Sequence, residues 1–408
     1  MIQERASSRP GWGFIILLGI ASGLSAFGMA SVVPALPMLS RALQADWAST
    51  QFIVSAYLLG LGLFQPIQGL LCDRLGRRPV LLGGFTLFLA ASLLASLATS
   101  LLQLVLARFL QAIGVSVATV VSRAIVRDSF EPEPAAVALS FITAVMGVAP
   151  VIAPVFGGLA ADAVGWRGIF WLHAAMALLV VTLLARMLRE TRPADTESMT
   201  VRDLIAGARV LLADRGFSGH ALTYSFISAS GFIFITVGAA LYERLFALSG
   251  AEFGLLWSLL AISYIAGATA AGTLSRRLGR QRTRRVGLGI NVAATVLFVV
   301  AAWLQPPSLA AFSLSLGMLM FANGLVSPLA LAAAVDDHPQ LAGVAAGLSS
   351  SIAMLVSMVS AIITGLTYDG TAHGCALLMA ITCALAWWAM RRADRASRPP
   401  IRTTGGSP

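Results

Sequence analysis

The sequence predicts an all-α membrane protein of twelve transmembrane helices, arranged as two pseudo-symmetric six-helix bundles. Three observations carry that expectation. Of the 408 residues, 58% are hydrophobic and only 11% charged, too few charges to cover the surface of a soluble chain of this length. Twelve apolar runs are each long enough to cross the roughly 30 Å of bilayer hydrocarbon. A polar turn recurs between such runs: Gly69, Arg74, Leu75, Gly76 and Arg77 match Gly272, Arg277, Leu278, Gly279 and Arg280 at one constant offset, as in a chain built from two homologous halves.

A polar tail, residues 1–12, carries Arg5 and Arg9. The apolar runs fall at 13–33, 50–70, 80–98, 101–125, 135–160, 168–188, 217–241, 252–275, 285–304, 308–334, 341–367 and 372–390. The first is longer than a signal-peptide core and continues into Pro34-Ala35-Leu36-Pro37, so it reads as a retained span. The first six runs make an N-terminal bundle, 13–188, and the last six a C-terminal bundle, 217–390. Between them, 189–216 is the one sizeable polar break and reads as a linker. Its stretch from Val201 to Leu212 spaces apolar residues as a surface helix does. The tail, 391–408, is rich in Arg, Pro, Ser and Gly, a composition that favours disorder. Arginines concentrate in the turns after the second, fourth, sixth, eighth and twelfth runs. This asymmetry predicts that both termini are cytoplasmic.

The net charge of +10 does not point to nucleic acid, because the arginines sit in short turns rather than on a separate domain. Cys72, Cys375 and Cys383 have no metal-ligand spacing, and no motif calls for a cofactor or metal. No H-E-x-x-H pattern or phosphate-binding loop is present, which argues against an intramembrane enzyme and against ATP as a direct energy source.

Three stretches carry the functional reading. The turn Gly69-Leu-Leu-Cys-Asp73-Arg74-Leu-Gly76-Arg77-Arg78 crowds an acid against guanidiniums at the membrane surface. Such a pair can lock one arrangement of the helices. In the fourth span, Arg108 and Gln111, three residues apart, share a helix face, and Gly114 follows. A charge at that depth is costly unless it has a partner or faces a wet cavity. Arg108 could snorkel to the surface; the functional alternative places it at a central cavity. In the fifth span, Pro150 and Pro154 each remove an internal hydrogen bond, and Gly157 and Gly158 leave a flat face for close helix packing. Aromatics near Trp166 and Trp171 suit the membrane interface.

These stretches resemble the major facilitator superfamily, and within it the twelve-span drug:proton antiporters of the Bcr/CflA type. The family's G-x-L-x-D-R-x-G-R-R signature is met in full by Gly69, Leu71, Asp73, Arg74, Gly76, Arg77 and Arg78. Its R-x-x-Q-x-x-G signature falls on Arg108, Gln111 and Gly114. Its fifth-span antiporter signature matches at Pro154, Gly157 and Gly158 but has Ala149 and Ala153 for the earlier glycines. The resemblance implies an exporter that rocks two bundles about a midplane site. Its substrate would be a small amphipathic compound such as an antibiotic, with an endogenous metabolite such as a siderophore as the alternative. Protons, a small-molecule substrate and the bilayer are the expected partners of a monomer. A non-transporting sensor would be expected to lose the gating turn, which is intact here.

One departure bears on the substrate. Relatives often carry an aspartate before the Pro-Ala-Leu-Pro run; here the position is Ala30, and no carboxylate lies between Gly13 and Pro37. That favours neutral or anionic substrates over cationic ones. Gln111, Tyr57, Tyr224 and Asn323 are candidate polar groups of the cavity, and Phe27, Met29, Met146, Phe232 and Phe234 candidates for its apolar wall. His173 and His220 titrate near neutrality in model peptides and are candidate proton carriers.

Overall fold

The computed structural model describes residues 12–192 and 200–396. The regular structure described is helical throughout, and twelve helices are long and apolar enough to cross a membrane. In the first half these are α1 (Trp12–Ala30), α4 (Phe52–Leu75), α5 (Arg77–Ser96), α6 (Leu101–Ser129), α7 (Pro132–Val164) and α8 (Arg167–Met187). In the second half they are α10 (Arg215–Phe246), α11 (Gly250–Leu278), α12 (Arg280–Trp303), α13 (Leu309–Asp336), α14 (Ala342–Thr367) and α15 (His373–Ala396). Short helices α2 (Leu36–Ala42) and α3 (Trp47–Thr50) bridge α1 to α4.

Helix starts follow local capping chemistry. Ser100 accepts the Gln103 N–H at the start of α6, and Ser249 with Glu252 forms a reciprocal capping box on α11. The linker helix α9 (Val201–Ala213) lies within the expected surface stretch and opens on a Thr200–Asp203 capping box. Its apolar side, Leu204 and Leu211, packs with Phe217, Ala334 and Val344. The linker helix is thereby fastened to the second half.

The repeat seen in sequence is a repeat in space. Gly76 closes α4 at φ 96° and Gly279 closes α11 at φ 81°, a backbone region that glycine enters at no steric cost. The next residue, Arg77 or Arg280, starts the following helix in each half. Each of these arginines pairs with an acid at the end of that half's fourth helix: Arg77 with Asp128 and Arg280 with Asp336. Across the halves, the second helix of each packs on the fifth of the other, α4 on α14 and α11 on α7. Below, the turn face is the end of the molecule bearing Asp73, and the far face is the opposite end, bearing Arg41 and Glu243.

Candidate functional site

The turn is cross-linked within its own half. Asp73 Oδ1 accepts from Arg77 Nη1 at 2.6 Å, Asp128 Oδ2 accepts from Arg77 Nε at 3.0 Å, and Cys72 Sγ lies 3.2 Å from Arg77 Nη1. The guanidinium of Arg77 therefore joins the ends of α4, α5 and α6. A partner invisible to motif reading completes the turn: Glu190, just beyond α8. Its carboxylate accepts the backbone N–H of Arg77 at 2.9 Å and of Arg78 at 3.2 Å, capping α5 from the linker. Partial burial raises the Glu190 pKa, but the N–H groups of Arg192, Arg77, Arg78 and Thr191 outweigh it and hold the carboxyl below its ordinary range. Gly76 leaves room for this contact; a Cβ there would lie 2.5 Å from Glu190 Oε2. Arg192 Nη1 donates to the Arg74 carbonyl and Arg78 Nη2 to that of Ala185, each at 3.0 Å. Gly69 faces open space and makes no close helix approach.

Arg108 does not face a cavity. It is fully buried inside the first half, because the carbonyls of α1 and α4 and the Gln111 amide can hold it there. Nη1 donates to the Gly28 carbonyl at 3.0 Å and to Gln111 Oε1 at 2.9 Å, and Nε reaches the Ile53 carbonyl at 3.4 Å. The guanidinium lies 4.1 Å from the centre of the Tyr57 ring, a cation–π contact strengthened by exclusion of water. Tyr57 is itself fully buried and donates its hydroxyl to the Ser25 carbonyl at 2.9 Å. Gln111 Nε2 donates onward to Ser92 Oγ at 2.7 Å and lies 3.5 Å from His173 Nδ1. His173 Nε2 meets Ser31 Oγ at 2.7 Å amid Phe27, Phe88 and Phe170. This buried network ties α1, α4, α5, α6 and α8 together. Phe27, Tyr57 and Gln111 belong to it rather than to a cavity wall. Gly114 is a helix-crossing residue instead: a Cβ there would lie 2.6 Å from the Gly84 carbonyl oxygen.

On the far face, α7 and α11 close the two halves together. A Cβ on Gly254 would lie 2.7 Å from the Pro154 carbonyl oxygen, and one on Gly158 would lie 3.2 Å from the Gly250 oxygen. Ser258 donates to the Val151 carbonyl across the same seam. Gly157 abuts the Ser31 carbonyl of the chain leaving α1. Pro154 is buried in this contact and Pro150 half-buried above it. At the rim, Arg41 and Glu243 form an exposed ion pair at 2.8 Å.

In the turn-face halves of α6 and α10 lie Arg123 and Tyr224. Arg123 of α6 is exposed and makes no hydrogen bond or ion pair among the described residues. Tyr224 of α10, in the opposite half, is half-buried, and Tyr264 of α11 is 39% exposed. Met146 and Phe232 are half-buried, whereas Asn323 is buried between Asn291 and Ser230 at 3.1 and 3.2 Å. Phe234 is likewise buried, stacked on Trp257. In sequence Arg123 reads as one more arginine near a span end; only the structure leaves it exposed and without an ion pair among the described residues. His220 is held 3.0 Å from Arg284 near the turn face. Among the described residues, no group of three His, Cys, Asp or Glu side chains could hold a metal.

The model of the Major Facilitator Superfamily matches residues 18–361. The chain is 28% identical over 372 residues to the uncharacterized MFS-type transporter YdgK of Bacillus subtilis, covering 90% of this chain and 92% of that one. It is 25% identical to the bicyclomycin resistance protein homolog of Haemophilus influenzae, covering 85% and 87%. It is 26% identical to multidrug resistance protein D of Escherichia coli, covering 91% and 94%. The fold is similar to that of a bacterial homolog of the human lysosomal transporter Spinster in an inward-facing, unoccupied conformation. That match has a TM-score of 0.77 at 17% identity and covers 96% of this chain and 100% of that one. With two like halves joined crosswise through their second and fifth helices, the chain is a membrane transporter rather than an enzyme and belongs to the Major Facilitator Superfamily.

Proposed function

We propose that the protein exports a small amphipathic compound from the cytoplasm, driven by proton entry, by rocking its two halves about a site between them. The observation that carries this reading is the asymmetry between the two faces. Backbone-to-backbone packing joins α7 and α11 at the far face, while Arg123 stands exposed toward the turn face. Such a molecule is sealed on one side and offers a polar ligand contact on the other, as alternating access requires. In this reading the turn face is cytoplasmic, in keeping with its arginines. The relatives named for resistance to bicyclomycin and to multiple drugs support export and a drug-like substrate.

An unpaired guanidinium and the absence of an acid in α1 favour neutral or anionic compounds over cationic ones. The same chemistry suits an anionic endogenous metabolite, which keeps the siderophore-type substrate as the second reading. Efflux from loaded cells, measured with and without a protonophore, tests the coupling: export is expected to stop when the gradient collapses, and unchanged export would remove the antiport. A substrate panel in proteoliposomes separates the two substrate classes. Activity restricted to cationic drugs would overturn the role given to Arg123.

A further inference from the structure

The turn-face end of α15 gathers positive charge that the transport reading leaves unused. Arg391, Arg392 and Arg395 stand exposed there, beside Arg215 at the start of α10. These four arginines, with Trp387 and Trp388, line a groove of about 870 Å³. A second hollow of about 420 Å³ shares Trp387, Arg391 and Arg395 and is bounded by Arg285 and Asp394. The acid is already engaged: Asp394 Oδ2 accepts from Arg285 Nη2 at 2.7 Å and Nε at 3.2 Å. Among the described residues, Arg215, Arg391, Arg392 and Arg395 make no ion pair.

Two of the four guanidiniums rest against tryptophan rings. Arg391 lies over the Trp387 ring and Arg392 over the Trp388 ring, each at 5.6 Å from the ring centre. The i, i+4 spacing on one helix face sets both stacks side by side. Trp387 Nε1, a donor at the same groove, is buried without a hydrogen-bond partner. Among the described residues the groove therefore presents four cations without an ion pair and one unused N–H.

Its location selects the occupant. Leu377, Ile381, Leu385 and Trp388 are exposed at helical spacing along α15, forming an apolar ridge that runs through the membrane span to the groove. A soluble anion has no use for that ridge, whereas a molecule with an anionic head and an acyl chain matches both parts. Residues 397–408 bring Arg398 and Arg402 and no Asp or Glu, so their side chains offer no counter-charge. We propose that this groove binds an anionic phospholipid of the bilayer. Its phosphate lies among Arg215, Arg391, Arg392 and Arg395, and its acyl chain lies along the ridge.

The test is native mass spectrometry of the detergent-solubilised full chain titrated with dioleoylphosphatidylglycerol or dioleoylphosphatidylcholine. The wild type is expected to favour the anionic lipid by about tenfold, and the triple variant R391Q/R392Q/R395Q to lose that preference. A charge-matched variant of exposed arginines elsewhere on the turn face, R209Q/R276Q/R282Q, is expected to keep it. Arg391→Gln alone touches both hollows and is expected to lose part of it, which serves if the triple variant fails to fold. Equal preference in the wild type and the triple variant, or equal loss in the charge-matched control, would overturn the site. Inorganic phosphate competing for the groove as well as dioleoylphosphatidylglycerol does at equal concentration, so that the acyl chain adds nothing, would assign the groove to a free anion and overturn the lipid.

Discussion

Arg108 and Arg123 lie on the same helix with the same charge, and their surroundings give them opposite roles. Arg108 is enclosed and holds three acceptors from two neighbouring helices and its own. Arg108→Ala strands those acceptors, and each buried hydrogen bond to a charged group contributes on the order of 1.5–3 kcal/mol. We expect both a lower melting temperature in detergent and lost transport; an unchanged melting curve would remove the structural role. Arg108→Lys keeps the charge but not the fork, and is expected to rescue only part. Arg123 has no such partners, so Arg123→Ala is expected to leave stability within about 0.5 kcal/mol. Its effect should appear in substrate affinity, with an apparent KM raised about tenfold for an anionic substrate. A large loss of stability without a change in KM would return Arg123 to a packing role.

At the scale of elements, two contacts invite opposite expectations. The α7–α11 seam is backbone against backbone, so Gly254→Val leaves no flexible side chain to yield against the Pro154 carbonyl. This variant is expected to hold the far face open, measurable as labelling of a cysteine placed at Ala251 and as lost export. The Arg41–Glu243 pair sits nearby but is exposed, and such pairs contribute about 0–1 kcal/mol. Glu243→Gln is accordingly expected to leave export within about twofold of wild type, and a much larger loss would show that the pair gates the far face.

Glu190 gives the turn a pH dependence. Its pKa is lowered on folding, so its contribution is present above the unfolded value, near 4.3, and is lost as pH falls through the lower folded value. The tether should therefore persist at pH 5. Glu190→Ala should destabilise the start of α5 by about 1 kcal/mol at that pH, read by hydrogen exchange at Arg77 and Arg78. No difference in exchange would mean that the linker does not cap this helix.

For the molecule as a whole, the sequence carried the architecture further than the site. Composition and run length fix the number of spans because a bilayer accepts only backbone that satisfies its own hydrogen bonds. The constant offset from Gly76 to Gly279 marked the two like turns because both need the same positive φ. Small residues at Gly157 and Gly158 announced a close helix contact, since little but glycine permits it. The site was less legible. The motif reading places Arg108 at a cavity; it is enclosed, because the Gly28 and Ile53 carbonyls, which no motif records, accept from it. Phe27, Tyr57 and Asn323 are buried for the same reason, each given a partner by a neighbouring helix.

The sequence alone determined a twelve-helix membrane transporter built from two copies of one plan, because periodicity, length and capping are properties of a single chain segment. Only the tertiary structure decided which arginine is enclosed and which is exposed, where Glu190 lands, and which basic residues meet around Trp387. Those outcomes depend on helices distant in sequence, and a side chain buried in a bundle takes its chemistry from whatever the neighbouring helix presents.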